Sequence, residues 1–174
     1  MISKYFEKYC TFYLSRYWVN KKKFENILKS KISKDFFQKK ITIKEKTQYL
    51  EEVAGVVMFY DQRGFFDEEK LIDYKIENLK KRGFSVKKIK IFLKKNFFDD
   101  QLIFLKIQEL NKDIDIEDKL IDKYLSKSGL SKEIDIKMER EKIQKILKKL
   151  LSQGFRYNKI VKYLKENYNL YDLY

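Results

Sequence analysis

The chain has 174 residues, a formal net charge of +14 and 44% hydrophobic residues, a hydrophobic content too high for a disordered protein. The absence of histidine excludes imidazole metal ligation and histidine acid–base chemistry. The single cysteine, Cys10, cannot form an internal disulfide, which is typical of a reducing cytosol. No apolar run approaches the roughly 20 residues of a membrane helix, and the N-terminal residues lack a signal-peptide pattern. We therefore expect a cytoplasmic, soluble protein with no metal or other cofactor.

The positive charge is concentrated near the N-terminus. Residues 1–48 contain 13 basic and 4 acidic side chains, a balance of +9. A local excess of this kind attracts phosphate groups. Lysines outnumber arginines 35 to 5, which is also typical of chains encoded by A/T-rich codons, so charge alone supports a polyanionic partner only weakly.

The first three helices follow from apolar side chains at steps of three and four residues. Phe6, Cys10, Tyr13 and Tyr17 form one such stripe, and it predicts that Cys10 is a buried packing residue and not a catalytic thiol. Asn20 is a good N-cap for a second helix. The second helix is predicted to bury Phe24, Ile27 and Leu28, and residues 33–44 are interpreted as a connection. A third helix is predicted to cover about 45–63, with four residues facing inward: Tyr49, Val53, Val56 and Tyr60.

The next helices are separated by glycines and begin at short polar residues. Gly64 ends the third helix, Asp67 caps a fourth that runs to about Arg82, and Gly83 is placed where a left-handed conformation is needed. The fourth helix is predicted to bury Ile72, Ile76 and Leu79. Ser85 caps a fifth helix, which is predicted to bury Val86, Ile89, Phe92 and Leu93. Asp99 begins a sixth helix, in which Ile103, Ile107 and Leu110 lie on one face.

The C-terminal third predicts three more helices and makes the chain all-α. They cover about 117–127, 137–153 and 156–168, and Gly154 separates the last two. Residues 126–135 (SKSGLSKEID) are the most loop-like stretch. About nine helices are expected in total.

Internal similarity suggests that helical units are repeated. Gly83–Phe97 (GFSVKKIKIFLKKNF) and Gly154–Tyr168 (GFRYNKIVKYLKENY) are identical at seven of fifteen positions. Val19–Ile32 aligns with Phe84–Phe97 and so matches the caps Asn20 and Ser85. Short helical units that each expose an apolar face must stack to bury it. The alternative is that any lysine-rich amphipathic helix after a glycine would align this well by composition.

Several segments also resemble, in order, segments of a known family. They are Tyr13–Asn20 (YLSRYWVN), Arg63–Leu71 (RGFFDEEKL), Lys81–Ile89 (KRGFSVKKI) and Leu150–Phe155 (LLSQGF). The two middle segments are the most specific. Arg63–Leu71 contains a glycine, an aromatic pair and a helix start with two acidic residues, and Lys81–Ile89 contains an Arg-Gly-aromatic turn followed by a basic pair. In this pattern the chain resembles the RecX family of recombination regulators over roughly residues 13–168.

The chain departs from the family pattern at five positions. Glu68 replaces the usual second aspartate, Ile72 stands where the family tends to have alanine, and Gln153 replaces an arginine. Lys87 and Lys88 replace arginines, which keeps the charge but loses the planar guanidinium fork suited to bidentate phosphate contacts.

The resemblance implies a fold and a function. The fold is three repeats of three helices in an elongated, curved array, with repeats at 1–64, 65–112 and 113–174, the last including a C-terminal tail. The function is a mainly negative, non-enzymatic regulation of the RecA recombinase. The protein, expected to be a monomer, would bind the RecA filament on single-stranded or duplex DNA and impede strand exchange and filament growth.

Cationic side chains are the candidate contacts to such a filament. Lys87, Lys90 and Lys94 are predicted opposite the buried face of their helix, and equivalent lysines align in the other copies. The competing interpretation of each is an ordinary solvated helix face. The predicted basic face comprises Arg16, Lys22, Lys23, Lys29, Arg82, Lys87, Lys88, Lys90, Lys94, Lys159 and Lys165.

Acidic and aromatic clusters have less specific interpretations. Asp67, Glu68 and Glu69 are interpreted as a helix start that satisfies free backbone N–H groups and complements the helix dipole, and Asp99-Asp100 in the same way. No Gly-rich phosphate loop, nucleophile elbow or metal-ligand spacing occurs in the sequence. Some aromatic residues could stack on unpaired bases, although aromatics at helical spacing are more often core: Tyr5, Trp18, Phe97, Phe98 and Tyr168.

Two other functions remain open from the sequence. A stand-alone DNA-binding protein of helix-turn-helix type would bind duplex DNA tightly without RecA, through a recognition helix rich in Arg, Asn or Gln, which is not evident. A generic helical-repeat scaffold for an unrelated protein would not respond to RecA.

Overall fold

The computed structural model of the protein describes residues 2–134 and 140–170. Within them the chain is all-α, as predicted, with nine α-helices, one 3-10 turn at Leu130–Lys132 and no strand. The helices are α1 (Lys4–Leu14), α2 (Lys21–Phe37), α3 (Ile43–Asp61), α4 (Glu68–Lys81), α5 (Val86–Lys95), α6 (Asp100–Asn111), α7 (Ile116–Ser128), α8 (Arg140–Ser152) and α9 (Tyr157–Tyr168).

Most predicted helix starts are confirmed by hydrogen bonds at the N-cap. The side chains of Asn20, Asp67, Ser85 and Asp99 each accept a hydrogen bond from the backbone N–H three residues later, at 2.7–3.1 Å. Each bond satisfies a donor that the helix itself cannot satisfy. These four short polar residues therefore set where α2, α4, α5 and α6 begin.

Three details of the helix predictions were wrong. Residues 33–37 continue α2 and are not a connection, since the break falls only at residues 38–42. Thr42 starts α3 with a capping box, its hydroxyl accepting from the Glu45 N–H while the Glu45 carboxylate accepts from the Thr42 N–H. Tyr17 lies beyond the end of α1 and is 53% exposed, so it does not extend the buried stripe. The predicted start of α8, at residues 137–139, lies outside the described residues.

The chain divides into two compact units. The first contains Met1–Ile72 together with Asn96–Phe98, and the second contains Asp73–Lys95 and Asp99–Tyr174. The three predicted repeats, residues 1–64, 65–112 and 113–174, contain α1–α3, α4–α6 and α7–α9 respectively. The boundaries between the repeats, after residues 64 and 112, stay a prediction.

The first unit is built on a packed core between α1, α2 and α3. Cys10 is fully buried there, as the sequence predicted, and α2 packs along α3. Tyr5 stacks on Tyr49 at a ring separation of 4.0 Å, which fastens α1 to α3. The buried members of this core are Phe6, Cys10, Val19, Phe24, Leu28, Ile32, Val53, Val56, Val57 and Tyr60.

In the second unit, α5 packs on α6, and α9 packs on both α7 and α8. Gly83, with φ of +72°, ends α4 in the left-handed conformation predicted for it, and Gly154, with φ of +86°, ends α8 in the same way. At both turns the next N–H reaches back five residues along the chain, Phe84 to the Leu79 carbonyl at 3.1 Å and Phe155 to the Leu150 carbonyl at 3.4 Å. The two glycine-phenylalanine pairs thus form the same helix-ending turn.

Candidate basic binding surface

Four residues of the predicted basic face lie in the first unit. Lys22 and Lys29 are exposed on α2, and Arg16 is exposed just after α1, with its guanidinium 4.1 Å from the centre of the Phe12 ring. The Lys29 ammonium lies 2.5 Å from the Glu25 carboxylate, and this hydrogen bond lowers the pKa of Glu25. An exposed pair of this kind contributes little stability, roughly 0–1 kcal/mol, so a phosphate could replace the carboxylate as the partner of Lys29.

Lys23, the fourth of these residues, has a partner inside the unit. Its ammonium donates to Asn96 Oδ1 at 2.6 Å, and the Asn20 Nδ2 donates to the Asn96 backbone carbonyl at 2.9 Å. Asn20 is only 1% exposed, and its Oδ1 also caps α2 by accepting from the Lys23 N–H. We call Asn20, Lys23 and Asn96 the first clasp, because two bonds from the start of α2 end on one residue.

The second unit contains the same arrangement at the start of α5. Ser85, also 1% exposed, caps α5 through the Lys88 N–H and donates its hydroxyl to the Gln153 carbonyl at 2.6 Å. The Lys88 ammonium donates to Gln153 Oε1. Ser85, Lys88 and Gln153 form the second clasp. Sequence alignment had matched Asn20 with Ser85 and Lys23 with Lys88, and the structure adds that their partners correspond as well.

The partners of the two clasps occupy the same position in their helices. Asn96 follows the last residue of α5 and precedes Phe97, which has a φ of +62°; Gln153 follows the last residue of α8 and precedes Gly154. In both cases the amide residue stands immediately before a left-handed residue. Lys23 thus binds α2 to Asn96 within the first unit, Lys88 binds α5 to the end of α8 within the second, and a filament would have to compete with an amide oxygen for either ammonium.

The third aligned copy, at the start of α9, differs from the first two. Arg156 occupies the N-cap position without a side-chain cap bond, and its Nε donates instead to the Glu117 carboxylate at 3.0 Å. Lys159 and Lys165, the lysines aligned with the other copies, are half-buried. The repeated polar arrangement is therefore present in two of the three aligned copies.

The exposed cations of α5 lie where the helical period predicted. Lys87, Lys90 and Lys94 are exposed, opposite the buried face of α5. The Lys94 ammonium lies 3.1 Å from the Asp100 carboxylate. Lys87 lies beside Gly154, since a side-chain carbon added to that glycine would stand 3.6 Å from two carbons of the lysine.

The aromatic ring of Phe84 contacts two cations, Arg82 and the second-clasp residue Lys88. The guanidinium of Arg82 lies 4.5 Å from the centre of the Phe84 ring, and the Lys88 ammonium lies 4.8 Å from it. Cations over a ring face are stabilised by its quadrupole. Arg82 is exposed at this turn and keeps its charge available to solvent.

Other candidate chemistry has a structural explanation in the described residues. Burial raises the pKa of the Cys10 thiol to about 12, so it stays protonated and is a poor nucleophile. Asp67 and Asp99 act as helix caps, as predicted. Among residues 2–134 and 140–170, no group of three or more acidic or cysteine side chains could hold a metal ion.

Sequence reasoning missed a lysine-lined groove on α2. Lys31, Lys34 and Lys40 line it together with Lys23, and the exposed Phe97 stands at its edge. Lys31 and Lys34 are three residues apart on one helix, a spacing visible in the sequence. Their meeting with Phe97, which is 63 positions further along the chain than Lys34, was not visible in it.

Comparison of the chain with models of known protein families, with curated proteins and with solved structures finds no match. Across the part of the chain that the structure describes, every helix is too short or too polar to span a membrane.

Proposed function

We propose that this protein is a regulator, mainly negative, of a RecA-type recombinase, and that it binds the recombinase filament on DNA and impedes strand exchange and filament growth. The proposal rests on one observation, the ordered resemblance of residues 13–168 to the RecX family, in which Arg63–Leu71 and Lys81–Ile89 are the most specific segments. It places the protein in the cytoplasm, acting as a monomer in recombination and DNA repair during the SOS response.

The two clasps support the tandem repetition on which the resemblance depends. A lysine-rich composition accounts for matched lysines, but it does not account for a matched pair of bonds to an amide residue before a left-handed turn. The same bonding at Asn20 and Ser85 therefore favours duplication over coincidental alignment.

The exposed lysines of α2 and α5 are the cations best suited to contact the filament. Lys22 in the first unit and Lys87 and Lys90 in the second are exposed and need not break a clasp to bind. Each phosphate contact releases counterions, and the affinity for a single-stranded filament should fall with salt with a log–log slope of roughly −0.7 per contact. The proposal requires no catalytic group, since binding alone would obstruct the filament.

The first test is functional. RecA-driven strand exchange and single-strand-dependent ATP hydrolysis are measured with the protein added below the stoichiometry of RecA, and inhibition of both is expected. An absence of any modulation contradicts the proposal and favours a scaffold for an unrelated protein. Tight binding to duplex DNA without RecA, together with unchanged strand exchange, favours a helix-turn-helix type of DNA-binding protein.

The second test locates the contact surface. The double substitution Lys87→Glu and Lys90→Glu is expected to weaken co-sedimentation with RecA–DNA filaments while helical content is unchanged. Lys123→Glu with Lys127→Glu on α7 is the matched control, because it makes the same change of charge in the same unit with lysines that are also exposed. Equal binding by the two variants would show that the exposed face of α5 is not the contact.

A further inference from the structure

A groove of about 580 Å³ runs along α2 in the first unit, where its lining extends from Lys23 to Asp35. Helix α2 supplies most of its side chains, α1 supplies Tyr9, the turn after α2 supplies Lys40, and the 96–98 segment supplies Phe97. Its volume is in the range of ordinary ligand sites, roughly 300–1,000 Å³. The lining residues are Tyr9, Lys23, Asn26, Ile27, Ser30, Lys31, Lys34, Asp35, Gln38, Lys40 and Phe97.

The groove carries a local excess of positive charge. Four lysines and one aspartate line it. The carboxylate of Asp35 is largely satisfied by the protein, since Oδ2 accepts from the Lys31 ammonium at 2.6 Å and from the Tyr5 hydroxyl at 2.8 Å. Burial opposes ionisation of Asp35, but these two hydrogen bonds keep its pKa below the usual value. Asp35 and Lys31 therefore neutralise each other, while Lys34 and Lys40 remain exposed on the same groove.

Neutral polar groups stand between the cations. Asn26, Ser30 and Gln38 line the groove and offer amide and hydroxyl donors. Lysines together with Ser, Asn and Gln side chains are the usual donors to the phosphate and sugar oxygens of nucleic acids. The composition of the groove thus suits a phosphodiester chain better than a simple apolar ligand.

Phe97 adds an aromatic face at a position that favours glycine. It follows α5 with a φ of +62°, a left-handed conformation that a bulky side chain disfavours. The chain uses Gly83 and Gly154 for the left-handed residue that ends α4 and α8. Phe97 is nevertheless 48% exposed, so it recovers only part of the burial that would offset its strained backbone. Backbone strain of this kind is often retained where a side chain contacts a ligand.

From the charge and the exposed ring together we infer that this groove binds single-stranded nucleic acid. Lys34 and Lys40 contact phosphates, and Phe97 stacks on an unpaired base. Stacking requires a base whose face is free, which a duplex does not offer, and it tolerates any base sequence. The inference is independent of the recombinase, and Lys23 is the one residue that the groove shares with the basic face considered above.

The test uses the full chain and no recombinase. Fluorescence anisotropy measures binding of a short labelled oligodeoxythymidine, the corresponding oligouridine and a duplex of the same length, with inorganic polyphosphate as competitor. Both single strands are expected to bind more tightly than the duplex, and polyphosphate is expected to compete weakly because it has no base to stack. A duplex that binds as tightly as the single strands, or polyphosphate that competes as well as an unlabelled strand, would overturn the inference.

Two variants separate phosphate contacts from stacking. Lys34→Glu with Lys40→Glu is expected to weaken binding and to reduce the log–log salt slope by about 1.4, two contacts at roughly 0.7 each. Phe97→Gly is expected to weaken binding of the single strands at least about fivefold while thermal stability is retained or raised, because glycine relieves the left-handed strain. Retained stability would show that a loss of binding comes from the missing ring and not from unfolding.

The matched control is Lys4→Glu with Lys8→Glu, which makes the same change of charge on exposed α1 positions outside the groove. This variant is expected to bind nearly as well as the unmodified protein. If it weakens binding as much as Lys34→Glu with Lys40→Glu, the attraction is a general property of the positive unit. Unchanged binding by Phe97→Gly would likewise contradict the proposed base stacking.

Discussion

Substitution of Gly83 by alanine tests how closely the turn between α4 and α5 approaches α7. A methyl group on Gly83 would stand 2.3 Å from the Tyr124 backbone nitrogen, 2.6 Å from its Cα and 2.9 Å from the Lys123 carbonyl carbon. All three atoms belong to the backbone of α7, so no side-chain rotation can make room. Alanine there also adopts a φ of +72°, which costs about 1–2 kcal/mol.

The steric contribution can be isolated with a second glycine of the same unit. Gly129 has a φ of +76°, and a methyl group added to it would have no neighbour within 4 Å. Gly129→Ala should therefore lose only the conformational term of about 1–2 kcal/mol. Gly83→Ala adds the cost of displacing α7, about 1–3 kcal/mol for overpacking of this kind, and should lose about 2–5 kcal/mol in total.

Urea unfolding followed by far-UV circular dichroism compares the two variants. With a slope of about 2 kcal/mol per molar urea, the midpoint of Gly83→Ala should lie about 1 M below that of Gly129→Ala. Equal midpoints would refute the close approach of the Gly83 turn to α7 and with it the packing described for the second unit.

Two further predictions concern buried polar and sulfur groups. Ser85→Ala removes both the cap of α5 and the hydroxyl bond to the Gln153 carbonyl, so we expect the free energy of unfolding to fall by about 2 kcal/mol and Tm by about 4–8 °C. The control Ser126→Ala, at an exposed position of α7, should change Tm little. A similar fall in Tm for both variants would show that the second clasp does not stabilise the protein. Burial raises the pKa of the Cys10 thiol to about 12. We therefore expect Cys10 to stay unmodified by a disulfide-exchange reagent at pH 8 and to react once the protein is unfolded in guanidinium chloride. Rapid labelling of the native protein would contradict the placement of Cys10 in the core.

Local signals in the sequence predicted most of the helical architecture. A helix start depends on one side chain and the N–H three residues away, so the caps at Asn20, Asp67, Ser85 and Asp99 could be recognised without a structure. The same kind of signal was present and overlooked at Thr42, where Glu45 completes a capping box. Tyr17 was misplaced because a periodic pattern does not show where a helix ends.

The groove and the clasps could not be predicted, because each depends on residues far apart in the chain. Alignment matched Lys23 with Lys88, but nothing in the sequence indicated that Asn96 and Gln153 would accept hydrogen bonds from these two lysines. For the same reason the two lysines were grouped with exposed ones such as Lys87. Only the distances show which cations are already engaged.

The geometry of the second clasp limits how α5 and α8, the two helices that it joins, can move. A single hydrogen bond would fix a distance and leave a helix free to turn about its own axis. In the second clasp Ser85 and Lys88, one turn apart on α5, donate to the backbone carbonyl and the side-chain oxygen of Gln153, so rotation of α5 lengthens at least one of the two hydrogen bonds. The two hydrogen bonds therefore fix the angle between the start of α5 and the end of α8 as well as their separation. A change of side-chain length at Lys88 or Gln153 would alter that angle before it broke the contact.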